Sequence, residues 1–323
     1  MRNDIFIAKI KSGDSGEYLV CDDYKIRAEG IDLRVLNFDS EITDLNFAVG
    51  EMHTDSYNHE RGQQRFYRFD EFLTPVEKPR NLIGVAWNYK EHATETGYFG
   101  NPKFFRIGLE AIANPFGEFP LGNRRLFDYE AELGILINRR ADKNSKFDEV
   151  ENYIGGFLLA NDLTSRELQI LEGSLFDRVS GFYPAKSFSG SKPLGPFLVR
   201  DVSEGTTIGL SVERDKKVEK RQEACLSSMI YSPNEIVSYL IDMIEKGKVG
   251  DLLKDKTLYP GDIILAGTPR GTAFNSTAWD VIRAGGKRRF IRKEERENKK
   301  YLREGDVVHV FSRKLGTQRI KIV

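Results

Sequence analysis

Two glutamates separated by one residue set the first chemical expectation. In FDYEAELGIL, residues 127–136, the apolar residues alternate, which predicts a strand. Tyr129, Ala131, Leu133 and Ile135 share one face, while Asp128, Glu130 and Glu132 share the other, followed by Gly134. The Cα atoms of the two glutamates on such a strand stand about 6.5–7 Å apart. Unpartnered carboxylates there repel each other, and a hard cation removes the conflict, because Mg²⁺ and Ca²⁺ take carboxylate oxygens. A third acid would complete a site. Asp162, in LLANDLTSRE, follows an apolar run and precedes a helix start, so it can project from a strand end into a cleft. The ordinary alternative is a solvent-facing E-x-E pair and a turn aspartate, and these residues alone leave both open.

A second pair suggests proton transfer. In WNYKEHATETG, His92 lies three residues before Glu95, so a helix places both on one face. A carboxylate can orient an imidazole and raise its basicity, which is the arrangement of a general base with its helper. The following YFGNP, rich in glycine and aromatic residues, would suit a mobile lid. The other histidines lack such a context. His53 and His59 fall in the polar, loop-like EMHTDSYNHE, and His309 lies inside the strand-like VVHVF. No His or Cys cluster has zinc spacing. Lys186 lies in the turn-rich YPAKSFSGSKPLGP, and Thr268 at a strand-to-turn junction in LAGTPRGTAF, which lacks P-loop spacing.

The elements that must position these residues follow from local pattern. Residues 1–75 read as a small β-rich domain, with IFIAKI, EYLVCDDYKIRA and GIDLRVLNF as strands around the KSGDSG turn. LTPVEKPR, 73–80, reads as a linker to a second domain, 76–323. There NLIGVAW is a buried strand, and residues 88–97 form a short helix capped by Asn88 and stopped by Gly97. FDYEAELGILI and NYIGGFLLAND are strands. TSRELQILEG begins a helix with a Thr164–Glu167 capping box. SPNEIVSYLIDMIEKG is an amphipathic helix opened by Ser232 and Pro233. PGDIILAG and EGDVVHVF are Gly-Asp turns feeding strands, and the chain closes on a hairpin around Leu-Gly. The doubly charged segment 285–300 reads as a solvated helical insertion. Strands outnumber helices and do not alternate with them, which disfavours a doubly wound sheet or a (β/α)₈ barrel.

Composition bounds the class. The 323 residues are 40% hydrophobic, enough for a large core, and 49 basic residues balance 49 acidic ones. That neutrality gives no electrostatic case for nucleic acid or membrane surfaces. Two distant cysteines, Cys21 and Cys225, suggest a reducing compartment. No run approaches a membrane span and the start lacks an apolar targeting core, so a cytoplasmic protein is expected.

Taken in order, GVAWNYKEHATE, FDYEAELGILI, GGFLLANDLTSRELQ, AKSFSGSKPLGP and LYPGDIILAGTPRGTA resemble the fumarylacetoacetate hydrolase family over roughly residues 81–273. The closing strands resemble it too. The resemblance implies an α+β fold, a mixed β roll or sandwich with helices outside and a smaller N-terminal domain. It places a metal triad on Glu130, Glu132 and Asp162, and a lid His–Glu pair on His92 and Glu95. Substrate-side residues fall on Gln169, Lys186 and Thr268, with Arg166 matching the Arg after the metal-binding Asp. Where members usually have Lys, KFFRIG offers Arg106, which keeps the charge but cannot donate a proton. The stretch between Thr272 and Arg303 is longer than in compact members. The implied cation is Mg²⁺, or Mn²⁺ or Ca²⁺, and the implied assembly a homodimer. The implied activity is C–C hydrolysis of a 2,4-dioxo or acylpyruvate-type acid. The alternatives are decarboxylation, isomerisation or hydration of a 2-oxo diacid, and, from another class, a non-catalytic acid-binding protein.

Overall fold

In a computed structural model, all residues are described except 1–4, 14, 38–40, 54–61, 146–148, 175, 176 and 178. Two sheets face each other across a shared core. The larger has 11 strands; its spatial order is Gln63–Arg68, Gly30–Val35, Ser15–Ile26, Phe6–Ser12, Phe197–Val199, Ile154–Asn161, Ala131–Ile137, Ile263–Leu265, Leu82–Ala86 and Lys103–Ile107. Phe72–Leu73 pairs off that path with Phe6–Ser12. The smaller, five-stranded sheet runs Lys217–Cys225, Thr207–Arg214, Val307–Ser312, Gly316–Ile322 and Phe116–Phe119. Most pairings are antiparallel, while Ile263–Leu265 runs parallel to Leu82–Ala86, so the sheet is mixed.

Alternation along Ala131–Ile137 explains the layering. Ala131, Leu133 and Ile135 enter the core between the sheets, against Leu210, Val310 and Ile320. Leu136 points the other way, into a second core with Leu158, Ala160 and Leu265. Truncating one such fully buried side chain, Leu133→Ala for example, costs about 2–5 kcal/mol. Both faces are therefore buried, and Glu130 and Glu132, on the Leu136 side, are buried with them.

Seven helices frame the sheets among the described residues: α1 (Leu45–His53), α2 (Lys90–Glu95), α3 (Arg166–Glu172), α4 (Phe182–Lys186), α5 (Pro233–Glu245), α6 (Ala278–Arg283) and α7 (Lys287–Glu297). The start of α5 is as the sequence indicates, with Ser232 and Glu235 bonding reciprocally and Pro233 in the first turn. The hairpin of Val307–Ser312 and Gly316–Ile322 also forms, with Gly316 at φ 86°.

Several local expectations are corrected. The run 127–137 is not one strand. Phe127–Asp128 pairs with Thr164–Ser165 in a separate ladder, and only Ala131–Ile137 joins the large sheet. Asn88 does not cap α2. Tyr89 holds that position, and the Asn88 amide reaches the Ala266 and Tyr231 carbonyls at 2.8 and 3.0 Å. The expected Gly97 stop is real: the Gly97 and Tyr98 N–H groups bond back to Thr94 and Ala93. The Thr164–Glu167 capping box is replaced by Ser165, which accepts from Leu168 N–H, while the Thr164 hydroxyl turns to Asp162 and Lys186. Lys186 ends a short helix rather than lying in a turn. Residues 51–53, expected as loop, end α1; His59 lies outside the described residues.

The stretch 73–80 is pinned rather than free. Tyr18 donates to the Pro75 carbonyl, Lys9 pairs with Glu77, and Asp262 accepts the Arg80 and Asn81 N–H groups. Backbone pairing also crosses residue 75, because Phe6–Ser12 pairs with Phe197–Val199. Both cysteines are free. No helix among the described residues is long and apolar enough to cross a membrane.

Candidate metal centre and cleft

Antiparallel register gathers the three acids. Ala131 pairs with Asn161, so the start of one strand lies beside the end of its neighbour. Glu130 and Glu132 flank that start and Asp162 follows that end. Asp162 N–H donates to the Glu130 carbonyl at 2.8 Å, fixing the junction. The three carboxylates are buried, with one oxygen from each within 4.8 Å of the others. The strand on the opposite side, Ile263–Leu265, runs on to Gly267, whose N–H donates to Glu132 Oε2 at 2.8 Å.

Cations occupy part of this cluster. Lys186 Nζ donates to Glu130 Oε2 and Asp162 Oδ2 at 2.6 Å and to Thr164 Oγ1 at 2.9 Å. Arg166 forks to Asp128 through Nε and to Glu130 and Gln169 through its two terminal nitrogens. Lys192, fully buried, lies 2.9 Å from Asp162 Oδ1. Burial opposes ionisation of Glu130, but Lys186 and Arg166 outweigh it and hold its carboxyl down at about 2. Burial likewise works against the Lys186 ammonium, and Asp162 and Glu130 outweigh it. For Lys192 burial prevails, lowering it to about 8.

Glu132 is the exception. Among the described residues no ammonium or guanidinium pairs with it, and Gly267 N–H is its hydrogen-bond donor. Burial, then Asp162 and Glu130, push its carboxyl well above the usual range. The Tyr89 hydroxyl, whose own ionisation is suppressed by burial and then by Glu132, is also buried without a hydrogen-bond partner among the described residues. A buried carboxylate repelled by two others, with all-oxygen donors around it, fits a hard divalent cation. Glu130, Glu132 and Asp162 would hold it.

A cleft of about 920 Å³, its open mouth included, leads to Glu130 and Glu132. His92, Lys186, Arg166, Gln169 and Thr268 all line it. His92 Nδ1 lies 2.9 Å from Glu95 Oε1, which also accepts Gly271 N–H at 3.2 Å. The Thr268 hydroxyl donates to the Ala131 carbonyl and accepts from Gln222 Nε2. Arg106 stands apart. Alternation along Lys103–Ile107 turns Phe105 into the cleft and Arg106 outward, 5.8 Å from the Tyr183 ring. Asp128, Lys192 and Gln222 were not singled out as site residues from sequence. Asp128 had a signal, as the first acid of the D-x-E-x-E run. Gln222 and Lys192 act through contacts that leave no local pattern.

Comparison with known proteins agrees with this geometry. Residues 81–323 match the family model described as fumarylacetoacetate (FAA) hydrolase C-terminal. The chain is 31% identical over 221 residues to the oxaloacetate tautomerase YisK of Bacillus subtilis, covering 66% of each. It is 25% identical over 296 residues to a 2,4-didehydro-3-deoxy-L-rhamnonate hydrolase of Sphingomonas, covering 89% of this chain and 90% of that one. Its fold resembles a fumarylacetoacetate hydrolase structure from Exiguobacterium antarcticum, with a TM-score of 0.65 at 20% identity over 98% of this chain and 99% of that one. The matched region spans three quarters of the sequence and contains the acid triad, the His–Glu pair and the cleft lining, and the chain belongs to the fumarylacetoacetate hydrolase family.

Proposed function

We propose that this chain is a divalent-metal-dependent hydrolase that cleaves a C–C bond in a 2,4-dioxo acid. The observation that carries the reading is a single cleft lined by Glu130 and Glu132 of the acid triad and by a histidine oriented by a carboxylate. A protein that only bound an acid would have no use for an oriented base.

When bound, a divalent cation supplies a chelation point for the 2-oxo acid head and Lewis-acid stabilisation of an enolate. The chain's own residues do the rest. Glu95 takes the Nδ1–H of His92, which leaves Nε2 to accept a proton from water. The water oxygen bonds to the distal carbonyl carbon, the adjacent C–C bond breaks, and its electron pair passes into the enolate of the leaving 2-oxo acid. The proton held by His92 passes to the enolate carbon from which that bond broke, giving the free 2-oxo acid and the carboxylic acid. Lys186 places positive charge beside the enolate while holding Glu130 and Asp162. Arg166 fixes Glu130 and Gln169, whose amide nitrogen remains to donate to substrate. Thr268 braces the strand carrying Glu132.

All these residues lie in 76–323, which we take as the catalytic domain, with Mg²⁺ as the cation, a homodimer as the assembly and the cytoplasm as the setting. The near full-length likeness to a relative named as a hydrolase supports the choice of reaction. A second reading, proton transfer within a 2-oxo diacid, is favoured by the relative named as an oxaloacetate tautomerase. The test is a panel of acylpyruvates, oxaloacetate and an unsaturated 2-hydroxy diacid, assayed with Mg²⁺ and after EDTA. Acylpyruvate cleavage should vanish with EDTA and return with Mg²⁺; turnover confined to the diacids would replace hydrolysis with the second reading.

A further inference from the structure

The long stretch after Thr272 does not lie out in solvent. Its first turn is tied to the acid cluster, because Asp128 accepts the Ala273 and Phe274 N–H groups at 2.8 and 3.1 Å. Phe274, Ala278 and Val281 then line the cleft. The far end of the insertion is anchored as well: Lys287 Nζ donates to the Leu171 and Gly173 carbonyls at the end of α3, and Phe290 and Ile291 of α7 are buried. At the mouth, the loop after α2 meets α6, since a Cβ on Gly97 would sit 3.2 Å from Thr277 Cγ2.

We propose that residues 272–283 form the specificity wall of the cleft, admitting a 2,4-dioxo acid with an uncharged, apolar substituent beyond the second carbonyl and rejecting one that ends in a second carboxylate. This deepens the hydrolase reading and rests on it.

The accounting of cations carries the inference. Among the described residues, Arg166 and Lys186 are the only Lys or Arg side chains lining the cleft. Each nitrogen of the Arg166 guanidinium is engaged, by Asp128, Glu130 or Gln169. Lys186 spends its three donors on Glu130, Asp162 and Thr164. Arg106 faces outward, and Arg270 pairs at 3.3 Å with Glu91 on the rim. At the start of α6 a carboxylate already stands, because Asp280 Oδ2 takes the Thr277 N–H and hydroxyl at 2.7 Å each. Val85, Phe105 and Phe182 line the same cleft.

Charge balance points the same way. With a cation holding Glu132 as the carboxylate, Asp128, Glu130, Glu132 and Asp162 would carry one more charge than Arg166, Lys186 and Lys192 neutralise. A divalent cation leaves one positive charge, which a single substrate carboxylate cancels. A second carboxylate would enter an end where, among the described residues, Ser276 and Thr277 offer hydroxyls but no side chain offers a free counter-charge, and it would lose its hydration without a compensating ion pair.

The test compares two ligand pairs of matched length on the Mg²⁺-loaded protein. One pair is a 2,4-dioxo acid ending in a propyl group and its counterpart ending in a carboxylate, followed by turnover. The other is the corresponding 2-oxo acids, which lack the second carbonyl and cannot be cleaved, followed by calorimetry. The apolar member should be favoured at least about tenfold in both. Ala278→Lys, at a half-buried position, should shrink or invert that preference, with Mg²⁺ affinity and the thermal midpoint reporting that the variant is folded. Equal or tighter binding of the carboxylate-ended ligand by the native protein overturns the wall's role. A binding preference without turnover sustains the wall and removes the hydrolase reading. Absence of binding by all four ligands overturns both.

Discussion

Gln222 Nε2 donates to Thr268 Oγ1 at 2.8 Å, joining the smaller sheet to the strand end beside the acid triad. The same side chain accepts Ala131 N–H at 2.9 Å and donates to the Pro269 carbonyl at 2.8 Å. One glutamine therefore braces both edges of the centre: the strand that starts at Ala131, between the two glutamates, and the turn that follows Gly267. The smaller sheet does more than cover the core; it sets the geometry of the site.

Gln222→Leu keeps the volume and removes every one of those bonds. Leaving buried backbone groups unpaired should cost about 1–3 kcal/mol in urea denaturation, and kcat/KM should fall with it. Gln222→Glu, which keeps the acceptor for Ala131 N–H but not the donor, should lie between the two. A Leu variant as stable and as active as the native protein would show that the brace is dispensable.

What could be read from the sequence follows range of interaction. The strand Ala131–Ile137 and helix α5 are written in local alternation and capping, so they are legible residue by residue. The triad is half legible: E-x-E is local, and Asp162 joins it only through antiparallel register. Gln222 sits among charged residues on an outer strand and lies 91 positions from its partner Ala131, so no periodicity marks it. Lys192 carries no sign of its burial. The caps shifted by one residue at α2 and α3 because Asn88 and Thr164 had stronger tertiary partners than a helix end offers. Residues 285–300 read as a solvated helical insertion because they are so heavily charged, and α7 does form there with only Phe290 and Ile291 buried; the inward-facing residues lie mostly in the turn and short helix before it, which no local pattern marked.

Glu132→Gln should separate metal binding from folding. The native side chain is buried, repelled by Asp162 and Glu130, and without a cationic partner among the described residues. Removing its charge should leave the metal-free protein at least as stable by thermal unfolding. It should also weaken Mn²⁺ binding, followed by paramagnetic resonance, by at least about a hundredfold, or some 3 kcal/mol. Unchanged Mn²⁺ affinity would remove this carboxylate from the metal centre.

Arg166→Met tests the opposite case, a buried charge whose partners depend on it. Asp128 and Glu130 would each lose a guanidinium contact while remaining buried. The expected loss is about 3–5 kcal/mol in chemical denaturation. Arg166→Lys should recover little, since an ammonium cannot reproduce the planar fork to Asp128, Glu130 and Gln169. Full recovery by Lys would mean that charge alone matters there.

His309 gives a pH signature away from the site. It faces Glu213 at 3.5 Å across one ladder and is paired with Arg319 across the other. Burial is the main influence on it and lowers its proton affinity below the ordinary value near 6.5, against the pull of Glu213. The unfolded chain then binds the proton more readily, so His309 should contribute stability above that value that is lost as the pH falls through it. The native-minus-variant difference in urea midpoint for His309→Gln should fall as the pH drops from about 8 to about 5. A difference that grew as the pH fell would reverse the assignment.

His92 and Glu95 should separate catalysis from metal binding. His92 lines the cleft, yet Nδ1 is committed to Glu95, and Glu95 is itself held by Gly271 N–H. His92→Ala should lower kcat by about 10²–10⁴-fold, the usual contribution of a positioned base, with Mg²⁺ affinity by calorimetry unchanged. Glu95→Gln keeps the shape and a hydrogen-bonding oxygen but no longer stabilises the protonated imidazole. Its kcat should fall less than that of His92→Ala, because an oxygen still accepts from Nδ1 and keeps the ring oriented while the negative charge beside it is gone. If both variants lost Mg²⁺ binding and turnover together, the pair would be a structural support of the metal centre and the base would have to be sought elsewhere in the cleft.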